Sequence, residues 1–504
     1  MAGNMKPTAK ETHETLIIKS AIFSRLLLLT LIVLWRSLVS PYDTSASINP
    51  TCLATARNRS SSPPHPPLFP SLGSAIENGV VWDSVYFVRI AQCGYEYEQT
   101  YAFLPLLPIC ISILSRTVFA PLIPVIGYRA VLALAGYFVN NVAFVLAAVY
   151  FYRLSVNILE DPETAFRASV LFCFNPASIF YSSIYSESLY ALFSIGGMYH
   201  LISGANNTAV LWFALSGLAR SNGVLNAGYF CFQTMHWAYE ALFLKKRVSL
   251  AMQVLITGAF RCLCICIPFV AFQAYGYYNI CLGRCLDELR PWCRARIPLL
   301  YNFIQSHYWG VGFLRYFQLK QLPNFLLASP ILSLSVWSIV HYVKSRTELS
   351  LSLGFQLSSE EKNSAAWLYS LETVPKSKDG HILEKPSSVV LEKHDLRQRK
   401  QTSKAGDPAE LHVEYESPAK SGYLSPSILP FVIHLGIMVA TAFFVMHVQV
   451  ATRFLSSSPP LYWFASYLMV SPGMGKRRGY MIWTYCAAYI LLGSLLFSNF
   501  YPFT

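Results

Sequence analysis

Four short stretches of this 504-residue chain hold side chains able to do chemistry, and each lies at the margin of an apolar run. Asp83, in Trp82-Asp83-Ser84-Val85-Tyr86-Phe87, heads an acidic, aromatic segment that leads through Glu96 and Glu98 into apolar Phe103-Leu104-Pro105. A carboxylate at such a boundary can act as general base toward a hydroxyl; the competing role is a helix cap beside an interfacial aromatic belt. Glu187, in Tyr185-Ser186-Glu187-Ser188, sits between two apolar runs, where charge is costly, so it is either a functional acid or the first-turn residue of a helix. Arg220 and Asn222, in Arg220-Ser221-Asn222-Gly223, set a guanidinium among small polar groups, able to grip a phosphate bidentately or to snorkel toward an interface. His447, Gln449 and Arg453 emerge from a long apolar stretch into a short polar turn, from which they could close over a phosphate or a sugar. Pro291-Trp292-Cys293 and Tyr308-Trp309 suit a half-buried interfacial helix, although aromatic faces also bind sugar rings.

The elements that must position these residues are membrane helices. Hydrophobic residues make up 54% of the chain and charged residues only 13%, against about a quarter in soluble domains, and the mean hydropathy is +0.39. The formal net charge of +13 is spread over connecting segments rather than gathered on one basic face, which argues against a nucleic-acid partner. Of the twelve cysteines, Cys262, Cys264 and Cys266 fall inside an apolar run, whereas Cys281, Cys285 and Cys293 share a polar loop and could pair in an oxidising compartment. No recognised zinc-ligand spacing occurs near them, so no metal is expected.

Apolar stretches lie at 21–39, 104–120, 129–152, 166–183, 188–203, 208–230, 249–273, 324–343, 427–448, 459–474 and 479–498, about eleven hydrophobic segments by the length a span requires. The first reads as an uncleaved anchor, with Arg25 and Arg36 snorkelling near its ends. Alternating sides puts Lys245-Lys246-Arg247, segment 344–424 and Lys476-Arg477-Arg478 in the cytosol, as positive charge requires, and gathers 41–103, 274–323 and 449–458 on the luminal side. Asn58-Arg59-Ser60 is a glycosylation sequon in that first luminal loop. Strict counting sends Glu187 to the cytosol, but Pro176 and Ser182-Ser183 suggest that 166–203 forms a broken or re-entrant hairpin instead. The domain reading is a membrane core at 1–343, with luminal loops 41–103 and 274–323. A polar, mainly disordered cytosolic insertion at 344–424 and C-terminal helices at 425–504 complete it.

Taken in order, these clusters closely resemble the PIG-V family of endoplasmic-reticulum mannosyltransferases. The resemblance rests on the Trp82-Asp83 loop with Ala102-Phe103-Leu104-Pro105, Asn175-Pro176-Ala177-Ser178, Tyr185-Ser186-Glu187, Arg220-Ser221-Asn222-Gly223 and Pro291-Trp292-Cys293. It continues through Tyr308-Trp309, Pro323-Asn324-Phe325, His447 to Phe454 and the terminal Asn499-Phe500-Tyr501-Pro502. It implies an all-α polytopic membrane protein of the GT-C type, a multi-helix bundle with luminal loops in the endoplasmic-reticulum membrane. The implied reaction moves mannose from dolichyl phosphate mannose to the first mannose of a glycosylphosphatidylinositol (GPI) precursor through an α-1,6 linkage. Asp83 would be the catalytic base of an inverting displacement; Glu187, Arg220, Asn222, His447, Gln449 and Arg453 would bind substrate. No cofactor is implied beyond the donor substrate, and the partners are the two glycolipids, membrane lipid and an optional accessory membrane subunit. Ser84-Val85-Tyr86 departs from the family pattern, and 344–424 does not resemble it closely. The rival readings are another dolichol-dependent mannosyltransferase, a polytopic lipid-linked sugar transporter and a non-catalytic membrane subunit.

Overall fold

The computed structural model describes residues 9–42, 52–53, 66–282, 290–371, 422–471, 473, 475–501 and 503, and among them helix is the one regular element. The sequon at Asn58, Cys285 and most of the polar insertion lie outside the described residues. The long α1 (Ala9–Leu38) is followed by short α2 (Pro70–Glu77) and α3 (Ser84–Cys93), then by α4 (Leu106–Arg116) and the long α5 (Tyr128–Leu159). A hairpin comes next, built from α6 (Pro162–Cys173), one-turn α7 (Ser178–Ser182) and α8 (Glu187–Ile202). Then follow α9 (Asn206–Ala219), α10 (Ala227–Tyr239), the 34-residue α11 (Val248–Cys281) and α12 (Leu300–Tyr308). The chain ends in α13 (Leu322–Ser345), α14 (Leu429–Phe444), short α15 (Ala451–Leu455), α16 (Pro459–Val470) and α17 (Gly475–Ser498).

All eleven apolar stretches contain helix, but six of the helices among the described residues, α1, α5, α11, α13, α14 and α17, are long and apolar enough to cross a membrane. The other five stretches fall short of single straight spans, and two of them bear on where the candidate residues lie. Segment 104–120 is not one straight span: α4 turns by 67° into Ala120–Ile126, and its last residue, Arg116, donates from Nε to the hydroxyl of Tyr128 at the start of α5 at 3.4 Å. Segment 208–230 is two helices rather than one: α9 ends at Ala219, the Ser221–Asn226 turn reverses the chain, and α10 returns. The bend after α4 stands upstream of Glu187, which lines the same cavity, at the same end of the bundle, as Asp83; the reversal after α9 lies downstream and leaves the later basic turns where the count put them. The sequence count had placed Glu187 at the other end.

The 166–203 hairpin is broken where its sequence requires. Asp161 caps α6 by accepting from the Glu163 and Thr164 amides at 3.0 and 3.3 Å, and Pro162 fits the first helical turn. At the other end Asn175 Oδ1 accepts the Ala177 amide at 2.8 Å while its Nδ2 donates to Phe172 O, and Pro176 denies the helix its next bond. The Asn175-Pro176-Ala177-Ser178 motif is therefore a helix break that aims Tyr185 and Glu187. Arg25 stands beneath it, 2% exposed, where the sequence suggested a snorkelling side chain. Its Nη1 donates to Ser178 O and Ser182 Oγ, both at 3.0 Å, its Nη2 to Ser178 Oγ at 3.3 Å and Cys173 O at 3.4 Å, and the guanidinium lies 3.8 Å from the Phe144 ring centroid. A fork of five donors is the side chain able to satisfy so many acceptors freed by a broken helix.

Close helix approach comes from small residues, as expected where lipid supplies no drive for association. A Cβ on Gly196 would lie 2.2 Å from Trp212 and one on Gly197 2.5 Å from Phe213, so α8 and α9 meet without room for a methyl group. Phe144, Phe151 and Phe172 stack through the centre with Tyr462 edge-on at 5.5 Å. By contrast, α11 turns Ile256, Phe260, Leu263 and Ile267 outward, an apolar face suited to lipid. At the end opposite Asp83, residues 347–371 depart from the expected disorder. They form three short helices with Leu349, Leu368 and Tyr369 buried, tied to α10 by Gln233 Nε2 donating to Trp367 O at 2.8 Å and by the Leu371 amide on Glu240 at 2.7 Å.

Candidate active site

Asp83 precedes α3, yet its side chain makes no capping bond, so the helix-cap reading does not describe it. Its aim is set from both sides. Trp82 holds a left-handed backbone, φ 54°, rare for a bulky residue, and is pinned there by its indole N–H on Phe497 O at 3.1 Å and by ring contact with Phe500. The Asp83 amide donates to the Tyr185 hydroxyl at 3.1 Å. The terminal Asn499-Phe500-Tyr501 stretch thus has a purpose within the fold: with the end of α17 it clamps the Trp82 corner.

The carboxylate opens into a cavity of about 400 Å³, within the roughly 300–1,000 Å³ usual for ligand sites. First-loop residues Trp82, Asp83 and Phe103 line it together with Glu187, Arg220 and Ser221, Trp309 and Val311, and His447, Gln449 and Arg453. Six of the seven residues singled out from sequence are thereby brought to one wall. Asn222 is not: it is buried in the Ser221–Asn226 turn and does not line the cavity. Ser221, which sequence reasoning passed over, takes its place by donating to the Tyr301 hydroxyl at 2.8 Å.

Two carboxylates and two guanidiniums interlock at the cavity floor. Arg453 Nη1 lies 3.1 Å from Asp83 Oδ2 and 3.7 Å from Glu187 Oε1, and Arg220 Nη1 donates to the same Glu187 oxygen. Phe180 and Tyr185 flank the Arg453 guanidinium at 5.3 and 5.4 Å. Burial alone would weaken the charge on Arg453, but the neighbouring Asp83 and Glu187 carboxylates outweigh it and hold the group above the ordinary arginine range. Within this quartet two buried polar atoms have no hydrogen-bond partner among the described residues, Glu187 Oε2 and Arg453 Nε. Glu187 is 2% exposed while Asp83, at 36%, is the accessible acid of the pair.

The second loop supplies the opposite wall and is latched to the first. Trp292 Nε1 and the Tyr308 hydroxyl donate to the two oxygens of Glu98, each at 2.7 Å, and a disulfide joins Cys281 to Cys293. Trp292 is 5% exposed, so it is a structural pin and has no face free for a sugar; Trp309 instead reaches the cavity, edge-on to Phe103. Beyond it, the Gly312 and Leu314 amides donate to Val445 O and Phe444 O at 3.2 and 2.7 Å, fixing the turn that carries His447. Tyr316 stacks on His447 at 4.6 Å and donates to Gln449 Oε1 at 3.0 Å, with Asn324 Nδ2 donating to the Tyr316 hydroxyl at 2.7 Å. A second disulfide, Cys52–Cys93, escaped the sequence reading; both cysteines lie in one polar loop, the signal that could have found it. Glu96 sits beside it, but Arg89 at 2.6 Å engages that carboxylate and the thiols are consumed, so the three do not hold a metal ion.

Fold and site together define a polytopic, all-helical membrane protein with an acid–arginine cavity at one end of its bundle, an arrangement able to take a proton from a hydroxyl and stabilise an anion beside it. A family profile described as Mannosyltransferase (PIG-V) matches residues 12–504, and the chain belongs to that family: it is a membrane glycosyltransferase. It is 31% identical to human GPI alpha-1,6-mannosyltransferase 2, over 77% of this chain and 72% of that protein. With the Rattus norvegicus protein of the same name it shares 29% identity over 93% of this chain and 85% of the relative, and with GPI mannosyltransferase 2 of Drosophila melanogaster 28% over 84% and 86%. A crystal structure of the Archaeoglobus fulgidus oligosaccharyltransferase aligns with 96% of this chain and 55% of that one at 11% identity and a TM-score of 0.42, too loose a likeness to bear on the fold.

Proposed function

We propose that this chain transfers mannose from dolichyl phosphate mannose to the first mannose of a GPI precursor, forming an α-1,6 linkage on the luminal side of the endoplasmic-reticulum membrane. The names of its relatives support the reaction, and the observation that carries the site is the Asp83 carboxylate opening into the cavity 3.1 Å from Arg453. The acceptor oxygen attacks the anomeric carbon as its proton passes to Asp83, and the bond from that carbon to the phosphate oxygen breaks with its electron pair leaving on the phosphate. One carboxylate suffices for a single inverting displacement, since a phosphodiester leaves as a stable anion without a general acid. Arg453, seconded by Arg220, bears the charge that develops on the phosphate. His447 and Gln449 orient the sugars, with Trp309 offering an aromatic face, and Glu187 acts at the substrate site through the two arginines it holds. Both disulfides lie at the cavity end of the bundle, which supports an oxidising, luminal site, while Lys245, Lys246 and Arg247 lie at the other end.

The test is transfer of labelled mannose from dolichyl phosphate mannose in microsomes lacking the endogenous enzyme. The intact chain is expected to convert the one-mannose GPI intermediate to the two-mannose one. Asp83→Asn, expressed and localised normally, is expected to lose on the order of 10²–10⁴-fold in rate. Transfer to a different acceptor would reassign the reaction, and normal transfer by Asp83→Asn would remove Asp83 as base.

A further inference from the structure

The proposed base and the proposed phosphate ligand are bonded to each other. Arg453 lines the cavity, its Nη1 shared between Asp83 Oδ2 at 3.1 Å and Glu187 Oε1 at 3.7 Å, while its Nε is buried with no partner among the described residues. A guanidinium grips a phosphate through two parallel N–H bonds, and an unmet buried donor is a standing cost that a shift of the guanidinium toward an arriving anion can relieve. With two carboxylates and two arginines the floor is balanced in charge, so an arriving anionic phosphate adds excess negative charge that displacing one resident anion from its arginine removes. Glu187 is the poorer candidate for displacement: it is 2% exposed and held by Arg220 as well. Asp83, at 36% exposed and joined to the floor through Arg453, is the one that can yield.

Building on the assignment above, we propose that donor binding arms the base by partner exchange. The donor phosphate takes Arg453 from Asp83, freeing that carboxylate for the acceptor hydroxyl, while Glu187 acts as a positioning residue that keeps Arg453 and Arg220 in place through the exchange. Three consequences are built in. The donor binds before the acceptor is deprotonated, Asp83 opposes donor binding although it is needed for transfer, and its opposition runs through Arg453.

The experiment is equilibrium binding of dolichyl phosphate to the full-length chain in lipid nanodiscs, with thermal melting run alongside to show that each variant is folded. Asp83→Asn is expected to bind about tenfold more tightly than the unmodified chain, a coupling of ordinary size. Simple relief of repulsion between two anions would also tighten binding, so the exchange is read from a double-mutant cycle. In an Arg453→Gln background the gain from Asp83→Asn is expected to vanish. A gain that persists undiminished there, or no gain in the single variant, overturns the exchange while leaving the mannosyltransferase assignment standing. Failure of the unmodified, folded chain to bind dolichyl phosphate would instead undo the donor assignment. As a readout that packing alone would not move, Glu187→Asp is expected to recover transfer that Glu187→Gln loses, because the anchor is the charge; equal loss in both would reduce Glu187 to a packing residue.

Discussion

At the scale of single residues, the site depends on a tryptophan held in a backbone conformation that it does not favour. Trp82 stays left-handed because its indole bonds Phe497 O and packs on Phe500, some 415 residues away in sequence. Trp82→Ala should leave the helices intact but let the Asp83 corner relax. A misplacement of about 1 Å in a reacting group is worth about a hundredfold in rate, so transfer should fall by that order with expression unchanged. His447 offers a test by pH. Burial in the cavity wall pushes its imidazole below the ordinary histidine range, with a hydrogen bond to the Trp309 backbone opposing the shift only in part. The folded chain therefore favours the neutral ring. Its contribution to stability is complete above the ordinary histidine value of about 6.5 and is lost as pH falls toward the lower folded value. The melting temperature of the unmodified chain should accordingly drop more steeply on acidification through that window than that of His447→Gln; parallel curves would show that the ring is as free as in water.

At the scale of elements, the decisive ones are broken helices. The α6–α7–α8 hairpin presents Tyr185 and Glu187 because Asn175-Pro176 ends α6, and the carbonyls freed by that break are met by Arg25 from α1. Arg25→Met keeps volume and removes every donor, leaving buried acceptors unpaired at about 1–3 kcal/mol each. A lowered melting temperature in detergent is expected, together with loss of transfer despite the distance from Asp83. Arg25→Lys should rescue little, since one ammonium cannot reproduce the fork. The turn between α9 and α10 is equally constrained. A Cβ on Gly223 would lie 2.3–2.4 Å from the Ser216 and Gly217 backbone, so the reversal that carries Arg220 to the cavity admits only glycine there.

At the scale of the whole molecule, one end of the bundle carries both disulfides and the cavity, and the other carries the packed helices of 347–371 and the basic turn at Lys245-Lys246-Arg247. The proposed orientation has the first end in the lumen. Protease added to sealed microsomes should then cut within 372–421 and leave the Cys281–Cys293 loop intact, with that loop changing gel mobility on reduction. Protection of 372–421 with cleavage between Pro291 and Arg296 would invert the orientation and remove the compartment from the proposal.

The sequence by itself determined the class of the molecule, since so much apolar surface with so little charge can be buried only in a bilayer. It also singled out candidate polar residues, because a carboxylate or guanidinium at a hydrocarbon boundary needs a reason to be there. Asp83, Glu187, Arg220 and Arg453 stood out on that ground, and His447 and Gln449 by emerging with Arg453 from an apolar stretch; all six line one cavity. Only the tertiary structure decided how they meet. Parity of crossings is a sum over the chain, and one local event upstream that periodicity cannot reveal, the 67° bend after α4, undoes the count for Glu187, while the reversal at Gly223 restores it for everything downstream. Nor could spacing show that Arg453 lies between Asp83 and Glu187, residues 370 and 266 positions away, or that Arg25 is a buried keystone. Those partnerships arise from packing between distant helices, and hydropathy along a chain carries no record of which helix face meets which.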